Sequence, residues 1–170
     1  ARAVNLVEPE AAFTRLLRCE AYEEAEAVLS AHFLELSEGR NAQLLHQLRG
    51  APYDRLVDYP VFIAARLQLE QADPDSDPAV VKQLFDDMKA RVSEQLVDGS
   101  VRNLAAEIVS LGMLSVGERM RGSGESLMLA RELQRRLDAN RGGALIPLSR
   151  TLPYVYAVAA YGGLVNGDLE

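Results

Sequence analysis

Tyr161-Gly-Gly-Leu-Val-Asn-Gly-Asp-Leu-Glu170 closes the chain, and its reading decides the fold. Tyr161 to Val165 is helix-like, Asn166-Gly167-Asp168 supplies a turn, and Leu169-Glu170 opens a second helix that is not carried further. A related turn stands near the other end, Cys19-Glu-Ala-Tyr-Glu-Glu-Ala25, between two amphipathic segments. A helix pair of this kind hides its apolar face only against its neighbours. The pattern therefore predicts an all-α chain of antiparallel helix pairs leaning on one another in series. Residues 1–170 read as a single helical-repeat domain. With Ala1 in the first place and a hairpin left open at the last, they read as an excised internal fragment of a larger protein.

Composition supports the helical reading. Hydrophobic residues make up 48% and charged residues 25% of the 170, as in ordinary folded chains, so disorder is not expected. Leu and Ala dominate, aromatics stand at 6%, and alternating runs of Val, Ile and Thr are missing. The net charge of -7 argues against direct nucleic-acid binding, which needs clustered cations. Cys19 stands alone, so an internal disulfide is impossible and a reducing, cytoplasmic setting fits. No apolar run approaches the roughly 20 residues needed to cross a bilayer, so no membrane partner is expected.

Start and stop signals divide the chain. Pro9 begins a helix through about Arg18, and a second runs from about Ala21 to Ser37, where Gly39 ends it. Asn41 caps a short helix stopping at Gly50, and Pro52 to Asp58 forms another short segment. Val61-Phe-Ile-Ala-Ala-Arg-Leu-Gln-Leu69 reads as a well-buried helix from Pro60 to near Ala72. Asp77-Pro78 opens a helix to Asp98-Gly99, Val101 to Met120 forms the next, and Leu127 to Leu137 returns. Pro153 to Val165 is the last helix expected. Turns near residues 20, 75, 123 and 167 fall at intervals longer than a regular repeat of about 34 residues.

Candidate chemistry is sparse. Asp73-Pro-Asp-Ser-Asp77 begins like a calcium loop, but Pro78 and Leu84 stand where Gly and Glu are needed, leaving a solvated loop with a helix cap. His32 and Glu35 offer two ligands on one helix face, whereas a metal site needs three or four, so no metal and no cofactor is expected. Cys19, with no histidine beside it, reads as structural filler. Acid pairs such as Glu23-Glu24 and Asp86-Asp87 read as solvated faces, and Arg131, Arg135 and Arg136 as an exposed patch answering Glu132 and Asp138. No catalytic constellation emerges, and no enzyme is expected.

Tyr22-Glu-Glu-Ala25 after a short turn and Asn166-Gly-Asp-Leu-Glu170 after an Ala/Tyr-rich helix resemble tetratricopeptide-type hairpins. Together with Tyr59-Pro-Val-Phe-Ile-Ala-Ala-Arg-Leu67, they are similar to the helical-repeat region of large MalT-like, LuxR-type transcriptional regulators. In that family an ATPase module precedes the repeats and a helix-turn-helix follows them. The resemblance implies a right-handed superhelix whose concave groove binds a small-molecule effector or a protein partner, in a sensing segment without catalysis of its own. First helices of each pair would line the groove, making Arg66, Arg102, Glu107, Tyr154 and Tyr161 the candidate contacts. A general tetratricopeptide adaptor for protein partners is the alternative. Apolar residues at the open end, Tyr161, Leu164 and Leu169, suggest a homo-oligomer. Cys19-Glu20 departs from the usual Gly-Asp at the first turn.

Overall fold

A computed structural model describes residues 8–98 and 104–140, in which eight helices and no strand occur. The expectations for Arg102, for the last helix, for Tyr154 and for the apolar end around Tyr161, Leu164 and Leu169 lie outside these residues. Helix α1 (Pro9–Arg18) starts at its proline, with Glu10 in the first turn, where an acidic side chain favours the exposed N–H groups. Its end is a Schellman turn. Glu20 N–H donates to the Leu17 carbonyl at 3.1 Å and Ala21 N–H to the Leu16 carbonyl at 3.0 Å. Glu20 thereby takes a positive φ of 55°, a conformation glycine adopts without penalty.

Helix α2 (Tyr22–Ser37) follows, paired with α1 and bent at His32, whose φ is -127°. The buried Ser30 hydroxyl, donating to the Glu26 carbonyl at 2.8 Å just before the bend, is a back-bond of the kind that bends helices. Gly39, at φ 67°, reverses the chain into α3 (Asn41–Gly50). Asn41 is the first helical residue rather than a cap, since Arg40 occupies the cap position. The single turn α4 (Tyr53–Leu56) leads to α5 (Pro60–Ala72), and the loop at Asp73 to α6 (Pro78–Asp98). Asp77 caps that helix by accepting from Ala79 N–H at 2.8 Å, as its sequence predicts. Helix α7 (Leu104–Met120) ends in a second Schellman turn at Gly122, φ 69°, and α8 (Glu125–Ala139) returns along it.

Three antiparallel pairs result: α1 with α2, α5 with α6, and α7 with α8. They are not laid in a straight row. Helix α2 packs on α7 as well as on α5, so the first pair meets the third. A flat stack touching only neighbour to neighbour would keep those helices apart. The succession of pairs is therefore curled back on itself, with α2, α5 and α7 enclosing the interior.

Helix α5 lies at the centre and packs on α2, α3, α4, α6 and α7. Val61, Phe62, Ile63, Ala64, Ala65, Leu67 and Leu69 are all buried, so the helix has no apolar stripe but an apolar circumference. Phe62 joins Phe13 of α1, with ring centroids 6.1 Å apart, to Tyr59, which meets it edge-on at 6.0 Å. Tyr22 of α2 completes the cluster 5.9 Å from Tyr59. Tyr22 and Ala25, the large and small residues at the start of α2, are both buried. Farther along, Gly117 of α7 lets Phe85 of α6 approach so closely that an added methyl would stand 2.6 Å from its ring. Arg121 covers the same ring from 3.4 Å.

Two consequences are measurable. Replacing Glu20 by Gly relieves its left-handed backbone and should raise stability by about 0.5–1 kcal/mol in urea unfolding. Gly117→Ala should lower it by about 1–3 kcal/mol, because Phe85 is 2% exposed and has no free space to turn into.

Candidate binding cleft and buried carboxylates

Helices α1 and α3 both border α2, and long side chains span the gap between them. Arg40 pairs with Glu10, Gln43 donates to Glu10 at 2.5 Å, and Gln47 donates to Thr14 at 2.9 Å. The gap is a cleft of about 1110 Å³, running from Glu8 and Glu10 to Arg15, Arg18 and Cys19, with Glu35 and Leu36 of α2 also on its wall. It continues past Thr14, Gln43 and Gln47 into a smaller hollow of about 500 Å³ beside Tyr22 and His46. Its lining is polar and mostly exposed, a mixture of carboxylate, guanidinium and carboxamide groups that can hydrogen-bond a bound molecule. Cys19 is exposed at this wall rather than filling an interior position.

Arg66, expected in a groove, is instead half-buried on α5. Its guanidinium sits 5.5 Å above the Tyr53 ring, and its Nε lies 3.4 Å from Glu70 Oε1. Glu107, also expected there, is 4% exposed on α7 and faces Arg136 of α8. These two share no partner and neither lines the cleft. Pattern reading missed the cleft because its walls are second-rank polar positions. The visible signal was the pairing of Arg15 with Arg18 on α1 and of Gln43 with Gln47 on α3, one helical turn apart in each case.

His32 and Glu35 do face each other, Nδ1 to Oε2 at 3.1 Å, but no cluster of three metal-ligating side chains forms among the described residues. The Asp73–Asp77 loop is spent on structure. Asp73 accepts from Asp75 N–H at 3.1 Å and pairs with Arg49 at 2.9 Å. On α8, Arg135 and Arg136 both bond Glu132, which they hold at a pKa of about 2 against the pull of burial.

Four buried glutamates stand at helix junctions, none of them legible as such in the sequence. Glu70 of α5, 2% exposed, receives Arg49 Nε at 3.0 Å, Arg49 Nη2 at 2.5 Å and the Ser76 hydroxyl at 2.5 Å. The bonds from Arg49 outweigh burial and lower its pKa to about 2. Glu118 of α7 lies 2.9 Å from Lys89 Nζ of α6. Burial pushes its pKa up, but the neighbouring Lys89 and Ser123 bring it below the usual value, even though Oε1 accepts no hydrogen bond. Glu107 is less well served. Arg136 Nη1 comes within 2.7 Å of Oε1, yet at an angle that makes no hydrogen bond, and burial raises this carboxyl despite the nearby charge. Glu26 of α2, 5% exposed, accepts from Val61 N–H at 3.1 Å.

The Glu70 cluster carries a pH signature with a definite sign. Its folded pKa lies below its ordinary value of 4.5, so its stabilisation is present above pH 4.5 and is lost as pH falls towards about 2. Arg49→Ala should cost about 3 kcal/mol at neutral pH, the low end for a broken buried pair, since Ser76 and Arg66 still reach Glu70. Urea titrations at pH 7 and pH 3 test both points, and the difference between wild type and variant should shrink in acid.

Comparison of the chain with protein-family models, curated proteins and solved structures returned no match, so cleft geometry and side-chain chemistry must carry the functional reading.

Proposed function

We propose that this chain is a helical-repeat sensor or scaffold segment of a LuxR-type transcriptional regulator, binding a small-molecule effector or a protein partner and performing no catalysis itself. The observation that carries the binding role is the polar cleft of about 1110 Å³ between α1 and α3. Its walls are joined by side-chain bridges, which a ligand can displace at the cost of a few exposed or part-buried hydrogen bonds. The three antiparallel pairs are what support a tetratricopeptide-like reading, in which the contact of α2 with α7 is a departure from a regular right-handed superhelix. Binding would act by favouring one arrangement of the pairs over another, transmitting a bias to modules elsewhere in the parent protein. A cytoplasmic setting belongs to the same reading and is supported by the single cysteine. None of the described helices is long and apolar enough to cross a membrane.

The openness and polarity of the same cleft also suit an extended peptide, which is the alternative reading: a general tetratricopeptide adaptor. The parent open reading frame separates the two. A P-loop ATPase upstream and a helix-turn-helix downstream support the regulator, and their absence overturns it. For either partner, Arg15→Glu with Arg18→Glu should weaken binding at least tenfold in calorimetry with the captured ligand. The helical circular dichroism should be unchanged, because both arginines are exposed.

A further inference from the structure

Glu26 does something no other buried acid here does: it caps another helix. The first N–H groups of a helix have no partner within it, and α5 receives no side-chain cap from Tyr59, its own cap residue. Pro60, the first helical residue, has no N–H to satisfy. Val61 N–H is the first donor that needs an acceptor, and Glu26 Oε1 reaches it from α2 at 3.1 Å. Val61 itself is 1% exposed, so water is a poor substitute.

No cation among the described residues accompanies this carboxyl. Among the described residues, Glu23, one turn back on α2, is the only charged group that acts on it, and it repels. No charged side chain of α1, α3, α5 or α7, the helices packed on α2, contributes. Contrast Glu70, with a bidentate arginine, and Glu118, with a lysine. An acid enclosed among apolar neighbours and paired with a single backbone dipole is easier to keep neutral than charged.

We infer that the α2–α5 junction is a proton-sensitive clasp, closed while Glu26 is protonated and loosened when it ionises. Protonated, the carboxyl keeps a carbonyl oxygen for Val61 N–H and carries no charge to solvate. Ionised, it recovers its hydration only if α2 and the first turn of α5 part enough to admit water. The direction of the balance follows from burial, which together with Glu23 outweighs the Val61 bond and raises this pKa from 4.5 to about 7. A raised folded value means that the group's contribution is full below pH 4.5 and is lost as pH climbs through about 7. This is opposite in sign to Glu70. The clasp does not rest on the reading of the cleft as a binding site.

Two measurements on the intact chain test it. The ¹³C carboxyl resonance of Glu26 in the wild type should titrate with a midpoint near 7, and a midpoint near 4.5 overturns the clasp whatever any variant does. Hydrogen exchange of the Val61 and Phe62 amides, corrected for intrinsic rates, should lose about 50-fold in protection between pH 5 and pH 8. Glu26→Gln keeps the acceptor and the shape without the charge, and its protection should stay level over that range. A wild-type profile that is equally level, or a Glu26→Gln profile that falls as steeply as the wild type, refutes the inference.

Discussion

A central helix with a buried apolar circumference must find partners inside the protein for the polar groups near its ends, and that constraint on α5 organises its neighbours. The apolar circumference from Val61 to Leu69 supplies burial on all sides, which is the dominant stabilising term for a fold of this size. The polar groups at both helix ends then become the difficulty. At the start, Glu26 of α2 provides the acceptor for Val61. At the end, Glu70 collects Arg49 from α3 and Ser76 from the following loop, while Asp73 anchors the same arginine. Two neighbouring helices are thereby fixed in rotation and register against α5, which apolar contact alone does not achieve.

The buried carboxylates divide by how completely they are answered. Glu70 and Glu118 have cations at hydrogen-bonding distance and titrate below their ordinary range. Glu107 and Glu26 are answered poorly, the first by a misaligned guanidinium and the second by one amide, and both are pushed upward. In a low-dielectric interior, proximity does not suffice. The Arg136 charge beside Glu107 does not outweigh lost hydration, whereas Lys89 and Ser123 together do so at Glu118. The well-answered pair joins α5 to α3 and α7 to α6, whereas Glu26 joins α2 to α5. The junctions of the fold thus respond to acid in opposite senses.

Element boundaries were legible because they are set by local chemistry. Pro9, Pro60 and Pro78 start helices, and Gly39 and Gly122 stop them in the left-handed conformation. The burial of α5 was legible too, from an unbroken apolar run. At Cys19-Glu20 the turn has the same hydrogen bonds as the glycine turn at 122, so the packing of α1 on α2 imposes a shape that local preference resists. Junction chemistry was not legible. Glu26 and Glu70 sit at helical positions that look like any surface glutamate, and only contacts across roughly 20 to 35 residues reveal their partners. The cleft was hidden for the same reason, since Glu10 meets Arg40 and Thr14 meets Gln47 across a whole intervening helix.

The bend at His32 explains how one helix serves both interior and cleft. Before it, α2 presents Tyr22, Ala25, Glu26 and Leu29 to the core, all buried, and Glu26 reaches α5. After it, Glu35 and Leu36 turn towards the cleft between α1 and α3. A straight helix would carry its inward stripe along one line and could not follow both surfaces. The buried Ser30 back-bond to the Glu26 carbonyl lies between the two halves, on the residue whose side chain holds the centre of the fold. Any displacement of α2 at that residue must therefore be taken up at the bend or passed to the cleft wall. The non-helical backbone at His32 makes the bend the place where such a displacement can be absorbed.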